Sequence, residues 1–361
     1  MFPYSIYEHY HFVLITLKIL HIIFGLTIGG TESMLVDIIN RQCVKHEVHL
    51  IVLNKYYSQS LIDKLSPNIR LHLINRKRKS RNPWPIIKTN LLIWRIQPDI
   101  IHTHNENISK YLFFMPAPMC RTCHSTGNDL NDYKRYNVIV SISESVQKDL
   151  KERLGIESLV VKNGIDCSVI KTKKEDTNEL FKIIQVGRLI IHHKGQDILI
   201  KACKQLINEG IKNIHLDIIG DGHDKDKLIQ LINELGVYNY ITLIESQKRE
   251  YVYQHLCDYD LFVQPSRFEG FGLTVAEAMA AQIPVLVSDI EGPSEIIENG
   301  NFGFSFKMGD VEDCARQIKR IYNNQLSTDT YLNRKHIESE YSINNTVKGY
   351  ERVYSNIINK K

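Results

Sequence analysis

The sequence predicts an α/β protein of two domains, each with a parallel β-sheet, whose sheets face one another across a cleft. Short apolar, β-branched runs alternate with longer amphipathic stretches, which is typical of βα units and parallel sheets. This series of runs begins twice, and the segment 171–178 between the two series has no apolar residue. A chain of 361 residues is also too long for one ordinary domain.

Ten strands are predicted, five in each half. They cover residues 18–24, 48–53, 69–73, 99–102 and 138–141 in the first half, and 181–186, 215–219, 240–244, 260–264 and 284–287 in the second. We predict a first domain over 1–170 and a second over 171–344, with a C-terminal helix at about 345–361 that packs back on the first domain. Because loops after the carboxyl ends of parallel strands form the binding crevice, functional residues are expected in those loops.

The composition, 43% apolar and 24% charged, is typical of a soluble globular protein. Seven scattered cysteines form no evenly paired framework, which argues against a secreted disulfide scaffold and favours a reducing cytoplasm. The longest apolar stretch, 12–28, contains Lys18, His21 and Gly25, so we expect no transmembrane helix. The first residues also lack the basic start of a signal peptide. We therefore expect a cytoplasmic protein.

The first half of the sequence is basic, with 21 Lys and Arg against 14 Asp and Glu in residues 1–166. Much of this excess lies in the stretch from Arg76 to Arg81, which Trp84 follows. The stretch could contact phosphate groups of a lipid or a nucleic acid, or it could be a solvated loop. Because RNA- and DNA-recognition motifs are absent, we expect no nucleic-acid partner. A basic first half without a membrane span instead favours a peripheral contact of Arg76–Arg81 with an anionic membrane at its cytoplasmic face.

The most informative segment is 265–280, in which an apolar strand enters a glycine-bearing turn and an alanine-rich helix leaves it. Gly270 and Gly272 let backbone N–H groups approach a ligand closely, and the helix start favours anionic or hydroxyl-rich groups. Glu269 lies in the turn and Glu277 about one turn inside the helix, so both carboxylates can point at one small volume. Such a pair can serve hydrolysis, as in glycosidases, or accept hydrogen bonds from adjacent hydroxyls of a sugar or ribose. An interaction with the helix dipole would explain Glu269 but hardly Glu277.

The spacing of Glu269 and Glu277 within EGFGLTVAEAMA resembles the Glu-x7-Glu signature of glycosyltransferase family 4. The similarity extends forward to Glu295 and back to Gly187-Arg188 and Lys194-Gly195, and with the first-half motifs it covers residues 18–304. It implies a GT-B fold, in which two Rossmann-like domains face each other. In that fold the second domain holds most of the sugar nucleotide and the first holds most of the acceptor.

The resemblance also implies roles for individual residues. Glu277 holds the ribose hydroxyls, Glu269 holds hydroxyls of the transferred sugar, and His124 contacts that sugar near the reaction centre. Arg188 and Lys194 neutralise the diphosphate, where cations stabilise the charge that develops on the leaving group. The remaining expected contacts are made by Gly30, Thr31, Gly187, Gly270, Phe271, Gly272 and Leu273. The residues expected to be catalytic are His124, Glu269, Arg188 and Lys194.

No metal or other cofactor is expected. His102, His104, His124, Cys120 and Cys123 invite a zinc site, but closed zinc sites take tightly spaced ligand pairs, and the sequence has no second CxxC. The Asp-x-Asp strings at 224–226 and 258–260 are poorly placed for magnesium on a diphosphate. His102 and His104 could as easily be packing and capping groups.

The predicted function is that of a retaining, hexosyltransferase-type glycosyltransferase of surface polysaccharide assembly, such as that of capsule, O-antigen or exopolysaccharide. Its donor is a nucleoside-diphosphate sugar, with uridine favoured over guanosine, and its acceptor is a hydroxyl of a lipid-linked or other glycan. The sequence departs from the family at Gln282 and at Glu245-Ser246, and the second departure, in a loop that the resemblance places against the base, leaves the base less defined. The alternatives are a GT-B sugar-nucleotide epimerase and a non-enzymatic module that binds an anionic ligand. A dinucleotide oxidoreductase lacks its phosphate fingerprint.

Overall fold

A computed structural model describes residues 16–77, 80–174 and 180–359 of the chain. It contains two β-sheets, and every strand pair in both sheets is parallel. The prediction of two parallel-sheet domains is therefore confirmed. The predicted linker 171–178 lies partly outside the described residues, and the domain limits at 170 and 344 stay predictions.

The first sheet contains the first seven strands. Strands β1 to β7 are Lys18–Ile23, Glu47–Asn54, Arg70–Arg76, Ile100–Thr103, Met119–Cys123, Val138–Ser141 and Leu159–Val160. Helices α1 to α4 are Gly30–Gln42, Gln59–Ile62, Trp84–Ile96 and Glu144–Leu154. The strand order β3-β2-β1-β4-β5-β6-β7 places β1 beside β4. The five predicted strands are all present, and β5 and β7 are additional.

The second sheet repeats this arrangement. Strands β8 to β13 are Phe181–Val186, Ile214–Ile219, Ile241–Ile244, Leu261–Gln264, Val285–Ser288 and Phe304–Phe306. Helices α5 to α13 are Ile191–Lys194, Gln196–Asn208, Lys225–Glu234, Arg249–His255, Leu273–Ala280, Glu291–Ile296, Val311–Tyr322, Thr330–Glu340 and Ile343–Ile358. The strand order is β10-β9-β8-β11-β12-β13. In both sheets the strand order therefore reverses beside the first strand, at β1 and at β8. Crevices form at such positions in open α/β sheets.

Local sequence explains how the helices are positioned at the strand ends. Helix α4 begins after Ser143, whose hydroxyl accepts a hydrogen bond from Val146 N at 3.2 Å. It ends at Gly155, whose left-handed φ of 65° suits glycine. The last helix, α13, packs on α1 and buries Tyr350 and Tyr354 in the core of the first sheet. The chain thus finishes on the half in which it began.

The two halves are joined by a continuous core and by polar contacts. One cluster of buried side chains includes Ile139 and Val146 from the first half and Phe271 and Val275 from the second. The Glu295 carboxylate accepts from the backbone N–H of Glu144 at 3.0 Å, at the start of α4. A carboxylate there also interacts favourably with the helix dipole. These contacts hold the carboxyl ends of the two sheets towards each other.

Candidate active site

The glycine-bearing loop between β11 and α9 touches the first half directly. A Cβ at Gly270 would lie 3.1 Å from the carbonyl oxygen of His124 and 3.1 Å from Ser125 Cα, so only glycine fits without a shift. Ser143 Oγ donates to the Gly270 carbonyl at 2.8 Å. Gly272 has a left-handed φ of 107° just before α9. The structure therefore brings this loop and the predicted His124 together.

Lys194 and Glu269 form an ion pair in the second half. The Lys194 amine contacts Glu269 Oε2, and Gln264 Nε2 donates to the same oxygen at 3.1 Å. Both side chains of the pair are about one-fifth exposed, at 19% and 18%. The Lys194 side chain passes Gly187, where a Cβ would be 3.9 Å from Lys194 Cδ. Three of the predicted residues are thus adjacent.

A buried amide lies beside this ion pair. Gln185, near the end of β8, is fully buried, and a Cβ at Gly187 would be 3.2 Å from its Nε2 atom. Neither amide atom of Gln185 has a hydrogen-bond partner among the described residues. Buried polar groups are usually hydrogen-bonded, so a ligand or water beside Gly187 would complete this one. Gln185 was not predicted, because an amide within a strand carries no signal of its own.

Arg188 faces the opening of α1 across the cleft. Arg188 is exposed. Burial raises the pKa of Glu32 above its ordinary value, and the positive charge of Arg188 acts in the opposite direction. The Glu32 carboxylate folds over Gly29, where a Cβ would be only 2.5 Å from Glu32 Oε2. Leu273 lies on the other side of this turn, 3.6 Å from the place of a Cβ on Gly30. The predicted loop of Gly30 and Thr31 therefore borders the second half.

Glu277 is buried in α9 and has two polar partners on α8. The Tyr253 hydroxyl donates to Glu277 Oε1 at 2.9 Å, and Arg249 Nε lies 3.4 Å from the same oxygen. Arg249 also pairs with Asp37 of α1, so it links the two halves. Burial raises the pKa of Glu277, and the charge of Arg249 acts in the opposite direction.

The two predicted carboxylates do not share a binding partner. No described residue makes a hydrogen bond or ion pair with both carboxylates, since Glu269 is bonded to Lys194 and Gln264, and Glu277 to Arg249 and Tyr253. Sequence analysis missed Arg249 and Tyr253. Both residues follow the Glu245-Ser246 loop, where the sequence departs from the family. That departure was the one sign in the sequence that this region could differ at the site.

Three histidines in the first half form a hydrogen-bonded chain, and a fourth lies beside it. His21 Nε2 lies 2.8 Å from Gln42 Oε1, and His21 Nδ1 lies 3.0 Å from His104 Nε2. His104 Nδ1 lies 3.4 Å from His124 Nε2. The fourth ring, His102, lies beside this chain, tilted by 34° and with its centroid 4.2 Å from that of His104. Burial lowers the pKa of His21 and of His124 to about 4, and those of His102 and His104 well below 6.5.

The partner atoms fix the tautomers along this chain. An amide oxygen only accepts, so His21 donates through Nε2 and accepts at Nδ1. His104 must then donate through Nε2 and accept at Nδ1, and His124 donates through Nε2 in turn. Because burial lowers the pKa of His124 to about 4, this ring is neutral at pH 7, and its Nδ1 is then an acceptor. A neutral acceptor of this kind suits a sugar hydroxyl.

Three of these histidines form the candidate metal site found among the described residues. One ring nitrogen each from His21, His102 and His104 lie within 4.8 Å of one another. The two nitrogens of His102, however, contact hydroxyls at 2.7 Å, those of Thr122 and Tyr354. His102 is therefore a packing group that ties β4 to α13. Cys120 and Cys123 are buried, and burial raises the pKa of the Cys123 thiol to about 11, which disfavours a thiolate ligand.

Two cavities adjoin these groups. The larger, about 470 Å³, is lined by Thr31, Glu32, His104, Arg121 and His124, among others. The smaller, about 290 Å³, lies between the halves, because its walls include Asp37 of α1 and both Arg249 and Tyr253 of α8. The cleft therefore has open space beside His124 on one side and beside the partners of Glu277 on the other.

Comparison with known families accounts for both halves of this arrangement. The family described as "Glycosyltransferase Family 4" matches residues 28–169, and "Glycosyl transferases group 1" matches residues 169–339. The chain belongs to glycosyltransferase family 4, group 1. The family predicted from the Glu269–Glu277 spacing is confirmed. The roles of the individual site residues stay predictions.

Relatives of this family 4 glycosyltransferase include a protein of capsular polysaccharide biosynthesis and a transferase named for an undecaprenol-linked substrate. The capsular polysaccharide biosynthesis glycosyltransferase CapM of Staphylococcus aureus is 26% identical over 61% of this chain and 62% of CapM, so the chain spans under two thirds of that protein. The N-acetylgalactosamine-N,N'-diacetylbacillosaminyl-diphospho-undecaprenol 4-alpha-N-acetylgalactosaminyltransferase of Campylobacter jejuni is 24% identical over 86% of this chain and 92% of that protein.

A solved structure supports the same fold. HepE of Anabaena, in complex with UDP and glucose, superposes with a TM-score of 0.77 at 19% identity, over 94% of this chain and 99% of HepE. The GT-B prediction is thus confirmed for this family 4 glycosyltransferase. Within the described ranges, none of its helices combines the length and the apolar character needed to cross a bilayer.

Proposed function

We propose that this chain is a retaining glycosyltransferase that transfers a hexosyl group from a UDP-sugar to a hydroxyl of a lipid-linked glycan during surface polysaccharide assembly. Family membership supports a nucleotide-sugar donor. The UDP and glucose bound to HepE support uridine, and the undecaprenol-linked acceptor named for the Campylobacter relative supports a lipid-linked acceptor. The reaction would take place in the cytoplasm, at the inner membrane face.

One observation carries this proposal. The loop that holds Glu269 and Gly270 lies directly against His124 and Ser125 of the other half. A donor sugar gripped by that loop would therefore stand beside the cavity of about 470 Å³ in the first half, where an acceptor can enter. The two substrates of a transferase need this adjacency, because orientation supplies much of the rate enhancement.

The charges of the second half suit a diphosphate. We propose that the donor diphosphate draws the Lys194 amine away from Glu269 and that exposed Arg188 binds a second oxygen. Glu269 then becomes free to accept from sugar hydroxyls. Cations held on the leaving diphosphate stabilise its charge in the transition state, an effect worth about 3 kcal/mol for one donor group. The acceptor oxygen forms its bond to C1 of the sugar on the same face from which the C1–O bond to the diphosphate breaks, which gives retention. The proton of the attacking hydroxyl passes to an oxygen of the leaving diphosphate.

Glu277 is proposed to hold the ribose. Its two contacts to Tyr253 and Arg249 both involve Oε1. We propose that Oε2 accepts a ribose hydroxyl and that Tyr253 and Arg249 keep the carboxylate in place and ionised. His124 is proposed to accept a sugar hydroxyl at Nδ1. With its pKa at about 4 it is too weak a base to deprotonate the acceptor.

Product analysis tests the proposed reaction. The full chain is incubated with single UDP-sugars and a bacterial lipid extract that contains undecaprenyl-diphosphate glycans. We expect a new glycolipid whose anomeric coupling matches that of the donor. An epimerised UDP-sugar formed without acceptor would establish the epimerase alternative, and an inverted linkage would refute retention.

A further inference from the structure

Helix α3 presents an apolar face to solvent. Its exposed apolar residues are Trp84, Ile87, Leu91 and Trp94, with 61%, 41%, 50% and 58% of their surface exposed. Their spacing of three, four and three residues places all four on one side of a helix. The opposite side, with Thr89, Ile93 and Ile96, is buried against the first sheet. This helix therefore has two apolar faces, and the protein covers only one of them.

A neighbouring turn extends the exposed face. Phe113, Phe114 and Met115 are 72%, 40% and 40% exposed. Their position is fixed from α3, because Asn90 Oδ1 accepts from the backbone N–H groups of Phe113 at 2.7 Å and of Phe114 at 3.1 Å. Asn90 Nδ2 donates to the Tyr111 carbonyl at 2.9 Å. We call the seven apolar side chains of α3 and this turn the α3 surface, namely Trp84, Ile87, Leu91, Trp94, Phe113, Phe114 and Met115.

The charged residues in the sequence segment that carries α3 have one sign. The sequence has no Asp or Glu from residue 64 to residue 98. Lys88 and Arg95 lie at the edge of the exposed face, one residue after Ile87 and after Trp94, and both are exposed. Lys77 and Arg81 precede the helix, whereas Arg78 and Lys79 of the basic stretch lie outside the described residues. An apolar patch with a cationic border complements a surface on which anionic groups cover an apolar layer.

We propose that the α3 surface docks this protein on an anionic lipid bilayer. The helix has 13 residues and is about 20 Å long, too short to span, so it would lie in the plane of the interface. Tryptophan favours that depth, because its ring is apolar and its N–H can meet water and headgroups. A second copy of the chain fits less well, since a symmetric contact would bring the same cations together without acidic partners.

Docking in this way would place the larger cavity near the membrane. Asn105, Glu106 and Asn107 line that cavity, and the same segment continues to the exposed turn at 113–115. Between them, the Tyr111 ring packs edge-on against Phe24 of the cavity wall at 5.8 Å, and the Arg76 guanidinium lies 4.7 Å above it. A lipid-borne acceptor would thus enter along the side that touches the bilayer. The docking itself does not depend on the proposed transfer reaction.

Tryptophan fluorescence tests this proposal directly, because the chain has two tryptophans and both belong to the α3 surface. The full chain is mixed with vesicles of phosphatidylcholine alone or with 30% phosphatidylglycerol. With the anionic vesicles we expect a blue shift of the emission, protection from acrylamide and quenching by lipids brominated on their acyl chains. An unchanged spectrum with the anionic vesicles would overturn the proposal. So would a blue shift that grows with protein concentration in the absence of vesicles, since it would indicate self-association.

Matched variants distinguish binding through the α3 surface from non-specific adsorption to vesicles. Leu91→Asp keeps both reporters and should lower the vesicle partition coefficient roughly tenfold or more, because a carboxylate resists the apolar layer. Leu332→Asp is the control, since Leu332 is 53% exposed on α12, and it should bind as the unaltered chain does. Lys88→Gln with Arg95→Gln should weaken binding to the anionic vesicles on the order of tenfold. Equal loss for Leu91→Asp and Leu332→Asp would refute the assignment. UDP binding measured on each variant reports separately on the proposed function.

Discussion

Acid should destabilise this protein through the buried histidine chain. Burial holds the pKa of His21 and His124 at about 4 in the folded chain, against 6.5 in an unfolded one. Between these values the unfolded state binds more protons, so the stability is fully present above pH 6.5 and is lost as the pH falls towards 4. At pH 5 the loss is about 2 kcal/mol for each histidine, and His102 and His104 change it in the same direction. The sum is a large part of the roughly 5–15 kcal/mol that stabilises a typical domain.

Urea unfolding followed by circular dichroism at pH 7.5, 6 and 5 measures this loss. His21→Gln removes one titrating ring, and we expect the difference in unfolding free energy between pH 7.5 and pH 5 to shrink by about 2 kcal/mol. The control is His223→Gln, because the His223 side chain is 70% exposed. If His21→Gln kept the full pH dependence of the unaltered chain, the neutral buried chain would be refuted.

Three further predictions concern the cleft. Lys194→Met should leave the fold intact and lower the turnover of a UDP-sugar by about 100-fold or more, because one cation on the leaving diphosphate is lost. Steady-state kinetics measures this change, and an unchanged kcat would argue against a role of Lys194 in binding the diphosphate. Gly270→Ala should reduce transfer with little change in helix content, since the new Cβ would stand 3.1 Å from the His124 carbonyl, and full activity would show that the loops can separate freely. Tyr253→Phe removes a hydrogen bond to the carboxylate of Glu277, so thermal unfolding should report a loss of about 1.5–3 kcal/mol, whereas no loss would mean that the carboxylate does not depend on it.

Much of the fold was predictable because parallel strands that are buried on both faces have short, continuously apolar sequences. Strand β8 was predicted with its observed ends, 181–186. Strands β7 and β13 have two and three residues, Leu159–Val160 and Phe304–Phe306, and runs of that length carry no periodicity. Both lie at the edge of their sheet, where pairing with one neighbour decides their existence.

The site was predicted where one loop holds its residues and missed where distant elements meet. Gly270 and Glu269 share a turn, so their placement at the cleft followed from the strand before them. The partners of Glu277 come from α8, and Arg249 also reaches Asp37, 212 residues away in sequence. The histidine chain likewise depends on β1 pairing with β4, which sets His21 opposite His102. Only the strand order reveals such neighbours.

Calorimetric titration measures whether Glu277 holds the ribose of a uridine nucleotide. The titrants are UDP and its 2′,3′-dideoxy analogue, and the proteins are the unaltered chain, Glu277→Gln and the control Asp37→Asn, which alters the other partner of Arg249. We expect Glu277→Gln to weaken UDP at least about tenfold, to leave the dideoxy analogue unaffected, and Asp37→Asn to weaken neither. Equal UDP affinity in the unaltered chain and Glu277→Gln would contradict the account.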